Sequence, residues 1–239
     1  MLPLNVTYAG SRFMIFADIF EAIAEFKAGK FVLIADDDNR ENEGDLAIAA
    51  EHVTPEAINF LNIHARGLIC MPICGQRLDE LQIPLMVPEG HSVEKTAFTV
   101  SVDGKKDVST GISAFDRATT VKMLLDPASK PEDFVRPGHL FPLRYTEGGV
   151  LRRAGHTEAS VDLAKLAELY PAAVICEVMR KDGTMARLPD LRHFALRYGI
   201  KMISVAQIVE YRRLTERTMI ARMPELAMPR ASSEVFAYA

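Results

Sequence analysis

The run from Asp36 to Asp45 constrains this chain most: six of its ten residues are acidic, and it follows directly on the apolar stretch Phe31 to Ala35. Like charges this dense repel unless something cationic lies among them. A divalent metal is the economical partner, set against the plainer reading of a solvated acidic loop. A calcium-binding hand does not fit. Counted from Asp36, the fifth position is Arg40 and the sixth Glu41, where that loop needs an oxygen ligand and a glycine. Arg40, beside Glu41, is either the neutralising partner of the acids or a fork for a bound phosphate. Gly44 lets the backbone turn or approach a ligand closely.

A second cluster, Arg153-Ala154-Gly155-His156-Thr157, places a cation, a bare backbone, an imidazole and a hydroxyl just before an expected helix. Helix starts present free N–H groups and a positive dipole end, which makes this a seat for an anion. His156 alone is weak evidence for a metal. Its co-occurrence with the acidic run raises it, because metal sites draw carboxylates and imidazoles from separate segments. Glu177 interrupts the apolar run Ala172 to Met179, where an unpaired carboxylate is costly to bury. It has a partner or a task there, or it points outward from an edge strand. His139, in Pro137-Gly138-His139-Leu140-Phe141-Pro142, reads as part of a proline-flanked loop and is equally compatible with a structural role. Cys70 and Cys176 lie in apolar strands, where burial makes a thiol inert, although Cys70 could still line a pocket.

Apolar spacing and start and stop signals predict helices over 16–28, from Thr54-Pro55 to Gly67, over Asp116–Leu125, from about Thr157 to Leu169, and over Leu191–Tyr198 and Val205–Tyr211. Strands are expected at Phe31–Ala35, Leu68–Ile73, Thr96–Val102 and Ala172–Met179. Residues 75–90 read as a surface loop rich in Pro and Gly. The alternation argues an α/β (α+β) class, a single domain with a mixed sheet layered with helices. That domain is expected to span 1–213, with 214–239 a tail or docking arm.

With 28 basic against 32 acidic side chains and a net charge of −4, no diffuse positive field favours nucleic acid or anionic lipid. Three irregularly spaced cysteines form no disulfide framework or four-ligand zinc site, and a reduced, cytoplasmic setting is the default. No secretory signal or membrane-spanning run is expected. The chain also lacks a phosphate-binding P-loop and a dinucleotide fingerprint, which argues against kinases, ATPases and dehydrogenases and against an organic cofactor.

Five segments occur in one order: Asn39-Arg40-Glu41-Asn42-Glu43-Gly44-Asp45, Thr96-Ala97-Phe98-Thr99-Val100, Ser109-Thr110-Gly111-Ile112-Ser113-Ala114-Phe115-Asp116-Arg117, Gly138-His139-Leu140-Phe141-Pro142-Leu143 and Arg153-Ala154-Gly155-His156-Thr157-Glu158-Ala159. Together they resemble 3,4-dihydroxy-2-butanone 4-phosphate synthase over roughly residues 15 to 212. Asn39 stands where the family often has an acid, and the stretch after Arg213 has no counterpart.

The resemblance implies conversion of D-ribulose 5-phosphate to L-3,4-dihydroxy-2-butanone 4-phosphate and formate, in riboflavin biosynthesis. It implies magnesium, with manganese also able to serve, and a homodimer with active sites near the subunit interface. Carried over by position, Glu41 and His156 ligate the metal. Arg40, Glu41, Asp45, Glu177 and the stretch Arg153, Ala154, Gly155, His156 and Thr157 hold substrate, and His139 and Glu177 are catalytic. Asp36, Asp38 and Glu43 are further candidates for proton transfer, and Thr110 for a phosphate contact. The length implies the stand-alone form rather than a fusion with GTP cyclohydrolase II. The nearest rival is another metal-dependent sugar-phosphate lyase or isomerase, and an RNA-binding module is disfavoured by the acidic charge.

Overall fold

The buried segments alternate between two destinations, and that alternation builds the whole architecture. In strand β1 (Val32–Ala35), Leu33 and Ala35 enter one apolar cluster while Val32 and Ile34 enter another. Strand β2 (Gly44–Ala49) sends Leu46 and Ile48 to the first cluster and Ala47 and Ala49 to the second. Successive side chains of a strand point to opposite faces, so the two clusters are the two faces of one sheet. Both are covered by helices.

The computed structural model describes residues 16–87 and 96–222, with side chains through 216. Besides β1 and β2, the sheet contains β3 (Cys70–Ile73), β4 (Val102–Gly104), β5 (Phe134–Arg144), β6 (Ala173–Glu177) and β7 (Lys201–Ser204). Their order is β4-β5-β3-β6-β2-β1-β7. β2 runs antiparallel to both β1 and β6, whereas β7 is parallel to β1 and β5 is parallel to β3. The chain is thus a mixed seven-stranded sheet between two helical layers, the expected class.

The first face is covered by α2 (Pro55–Phe60), α3 (Gly75–Glu80), α4 (Ala114–Leu125) and α6 (Leu188–Tyr198), which contribute Ile58, Leu78, Leu124 and Leu191 to its cluster. The second is covered by α1 (Ile19–Lys27), α5 (His156–Leu166) and α7 (Val205–Arg222), through Phe26, Leu163 and Ile208. Local chemistry fixes the helix starts. Thr54 accepts from the Ala57 N–H at 3.2 Å with Pro55 in the first helical position, and Ser113 accepts from the Asp116 N–H at 3.0 Å.

Several expectations need correction. Residues 75–80 form a helix rather than a loop, with Leu78 buried beneath it. His139 sits in β5, not in a loop. The expected strand from Thr96 is displaced: Phe98 and Thr99 make only isolated bridges, and the regular strand begins at Val102. The acidic run is not polar loop to its end, because Asp45 is inside β2 and buried. The missing side chain of Gly44 serves packing, since a Cβ there would come within 2.6 Å of Leu191 on α6. α2 ends at Phe60 and passes into a π-helical turn, Leu61–Ala65, closed by the Arg66 N–H donating to the Leu61 carbonyl at 3.0 Å. The helix expected over Val205–Tyr211 runs on as α7 to Arg222. The rest of the expected tail, 223–239, lies outside the described residues, as do 88–95 of the expected loop and the N-terminal segment.

Candidate active site

Strand parity brings the first two site residues together. In the antiparallel register Asp45 on β2 pairs with Glu177 on β6, and both share the face of Ala47 and Ile175. That face carries α5, whose first residue is His156. The loop between β1 and β2 closes over the same strand ends and brings Glu41 to His156, with Oε2 at 3.4 Å from Nδ1. Asp45 Oδ1 lies 3.9 Å from the same nitrogen.

The loop is held by its own first acid. Asp36 Oδ1 accepts from the Glu43 N–H at 2.8 Å, and Oδ2 accepts from the Glu41 N–H at 3.2 Å and from Arg40 Nη1 at 2.8 Å. Asp36 is therefore committed to shaping the loop, although its carboxylate is close enough to Glu41 and His156 for a three-ligand cluster. Arg40 Nη1 also donates to Glu41 Oε2 at 2.8 Å. Both of these partners are carboxylates, the first of the two roles open to it.

Electrostatics mark the same spot. The His156 imidazole, with Arg40 behind it, holds the Glu41 carboxyl down at about 2. Burial pushes Asp45 up from the ordinary aspartate value. Burial also opposes the charge on His156, but Asp45, Glu41 and Asp36 outweigh it and raise the imidazole. Asp45 Oδ1 and His156 Nε2 are both buried without a hydrogen-bond partner. A hard divalent cation fits this set: it would supply the positive charge that the carboxylates draw from the imidazolium, and it accepts oxygen and imidazole donors. Glu41 and His156 are the side chains best placed to hold it.

These residues open into a cavity of about 360 Å³, lined by Arg40, Glu41, Glu43, Asp45, Arg153, His156, Thr157 and Glu177 on its polar side. Leu68, Cys70, Thr96, Phe98, Leu143 and Ile175 complete it. Glu177 is neither exposed nor at a sheet edge. Its Oε2 accepts from the Leu68 N–H at 2.8 Å. Arg153 donates to the buried Glu158 at 2.6 Å and to Thr96 Oγ1 at 2.7 Å. Gly155, the residue before α5, leaves room for this guanidinium, which a Cβ would overlap.

Other expected residues lie elsewhere. Ala154 is exposed, and neither it nor Gly155 lines the cavity. Asp38 and Thr110 are exposed and outside it. His139 is also outside, exposed on β5, where its Nδ1 meets Asp103 Oδ2 at 2.7 Å and its backbone N–H donates to Asp103 Oδ1 at 2.8 Å. Cys70 does line the cavity, yet burial pushes its thiol and that of Cys176 up, so neither is a nucleophile. Glu43 was legible only as a spare acid. The apolar lining of Leu68, Phe98 and Leu143 carries no sequence signal that separates it from ordinary core.

Residues 20–211 match the family 3,4-dihydroxy-2-butanone 4-phosphate synthase. The riboflavin biosynthesis protein RibBA of Synechocystis sp. is 53% identical over 215 residues, a match covering 87% of this chain and 39% of that protein. RibBA of Aquifex aeolicus is 51% identical over 216 residues, covering 90% of this chain and 53% of that protein. The chain thus spans only about two-fifths to half of these curated relatives. A crystal structure of 3,4-dihydroxy-2-butanone 4-phosphate synthase in complex with two magnesium ions superposes with a TM-score of 0.80 at 43% identity, covering 84% of this chain and 99% of that one. RibBX of A. baumannii, a two-domain 3,4-dihydroxy-2-butanone 4-phosphate synthase, gives 0.79 at 47% identity, covering 82% of this chain and 58% of that one.

Proposed function

The chain belongs to the 3,4-dihydroxy-2-butanone 4-phosphate synthase family, and on that premise we propose that it converts D-ribulose 5-phosphate to L-3,4-dihydroxy-2-butanone 4-phosphate and formate, as a step of riboflavin biosynthesis. The observation that carries this reading is the convergence of Glu41, His156, Asp45, Glu177 and Arg153 on one cavity.

In this reading Glu41 and His156 hold a magnesium or manganese ion. The magnesium-bound relative supports the choice of a divalent cation. When bound, the ion stabilises negative charge developing on substrate oxygens. Arg153, with the N–H groups at the start of α5 around His156 and Thr157, takes the phosphate. Ala154 and Gly155 contribute through their backbone. Arg40 balances the acids on which the sugar oxygens gather, and no organic cofactor is needed.

Glu177 and Asp45 move protons at the sugar carbons. Asp45, raised by burial, is suited to giving and taking a proton near neutral pH. Glu177 is fixed by the Leu68 N–H and so meets substrate in a single orientation. Leu68, Phe98 and Leu143 exclude water from the reacting carbons.

His139 acts from a second subunit of a homodimer. Its side chain is 44% exposed and oriented by Asp103. Exposed Ile112 and Phe115 lie close along the chain to Gly111, which abuts the His139 ring. An oriented, exposed imidazole beside apolar surface is suited to completing a neighbour's cavity. Neither nucleic acid nor membrane is a partner in this reading. Among the described residues no helix is long and apolar enough to cross a bilayer. The free thiols of Cys70, Cys74 and Cys176 support a reduced, cytoplasmic setting.

Formate release from D-ribulose 5-phosphate by purified protein tests the proposal. Release with magnesium that stops on adding EDTA is expected. Folded protein that consumes the substrate without formate would instead support a sugar-phosphate isomerase.

A further inference from the structure

A loop that carries a metal ligand must be held near its bound geometry, or ordering it draws on the binding energy. The loop from Asp36 to Glu43 is held from inside by Asp36, which accepts the Glu41 and Glu43 N–H groups. From outside, Arg187 holds its backbone. Arg187 Nη1 donates to the Glu41 carbonyl at 2.7 Å and to the Asn42 carbonyl at 2.6 Å, across 146 and 145 residues of sequence. Between those carbonyls the backbone takes the left-handed conformation, with Asn42 at φ 54°, a state that costs energy for a residue with a side chain. Arg187 immediately precedes α6, and its own N–H donates to Asp190 Oδ2 at 3.0 Å. The clamp is therefore built on a helix that also packs Leu191 against Gly44.

We propose that Arg187 is a positioning residue for the divalent cation, holding the Glu41 backbone so that its carboxylate meets His156. The inference rests on the reading of Glu41 and His156 as metal ligands. Arg187 itself lies outside the cavity lining, and its Nη1 reaches the site only through the loop, where it also comes within 3.6 Å of Glu43 Oε1.

The test is manganese binding to the metal-free full chain, followed by loss of the free-ion electron paramagnetic resonance signal, for wild type, Glu41→Gln, Arg187→Ala and Arg187→Lys. Residues behind metal ligands change affinity by roughly 10- to 100-fold. Arg187→Ala is expected to weaken binding about tenfold or more, and Arg187→Lys, which keeps one donor, by less. A melting temperature lowered in metal-free Arg187→Ala with its manganese affinity within twofold of wild type would assign the residue a structural role and overturn the proposal. Should Arg187→Ala fail to fold, wild-type affinity in Arg187→Lys would overturn it. Failure of wild type itself to bind manganese would refute the metal site, and the inference with it; tight wild-type binding lost in Glu41→Gln but kept in both Arg187 variants would sink the Arg187 role alone.

Discussion

Asp45 and Glu177 stand opposite each other on neighbouring central strands, two acids on one face of the sheet where apolar residues otherwise alternate. A pair of that kind costs stability, through like-charge repulsion and desolvation. Glu177→Gln keeps the shape and the Leu68 contact but removes one charge. It should lower kcat by roughly 10²- to 10⁴-fold, the range for a lost proton-transfer group, while the melting temperature holds or rises. Near-wild-type turnover would remove Glu177 from the chemistry.

Gly67 is the second place to press on this acid. Its N–H donates to the Glu177 carbonyl at 3.1 Å, and a Cβ there would lie 2.5 Å from both that carbonyl oxygen and Glu177 Oε2. Gly67→Ala is therefore expected to displace the carboxylate and reduce kcat more than tenfold. The same change made on top of Glu177→Gln should cost little more, since both act on one group. Additive losses in the double variant would mean that Gly67 acts on something else.

If His139 serves a neighbouring subunit, two inactive variants can repair each other. His139→Ala and Glu41→Gln homodimers are each expected to be inactive. Mixed after reversible dissociation, they form heterodimers with one intact site, and formate release should return. No recovery in mixtures shown by mass spectrometry to contain heterodimer would place His139 and Glu41 in one subunit's site.

Asp116 gives the acid limb of stability. The Ser109 N–H, followed by the Ser109 hydroxyl, the Gly111 N–H and Ser113, holds its carboxyl down at about 2 from the ordinary 3.8. A depressed folded value means stabilisation fully present above the unfolded value and lost as pH falls through about 2. Asp116→Asn should lower stability by about 1–2 kcal/mol at neutral pH, as expected for weakened hydrogen bonds to a charged group. It should also flatten the decline between about pH 4 and 2 in thermal melts. A variant with an unchanged acid limb would contradict this assignment.

The parts of the fold legible in the sequence are those with local causes. Thr54-Pro55 starts a helix by its own side chain and ring, and Val205 to Tyr211 has helical spacing whatever it packs against. β2 was hidden because it is buried on both faces, which removes the alternation that marks a strand, and because it opens with Gly44 and Asp45. β5 was hidden by Pro137, Gly138 and Pro142, which read as breakers. Within the site, Glu177 was visible as a charge in an apolar run, and the clusters around Glu41 and His156 as unusual local chemistry. What joins them is strand pairing between segments far apart in sequence, which spacing does not encode. Arg187 was invisible for the same reason.

The π turn at Leu61–Ala65 sets a rule about chain length. One residue beyond an ordinary helical turn has been taken up there, so that Arg66 emerges left-handed at φ 75° and Gly67 and Leu68 arrive in step with Glu177. Because the extra residue is absorbed inside the turn, removing it would let the segment close as a regular helix with Gly67 and Leu68 still facing the acid, whereas a deletion from the regular helix before it would rotate both N–H groups by about a third of a turn. The turn is thus freer in its length than in its side chains, for Leu61 and Ala65 are fully buried in the core and substitution there would disturb its packing.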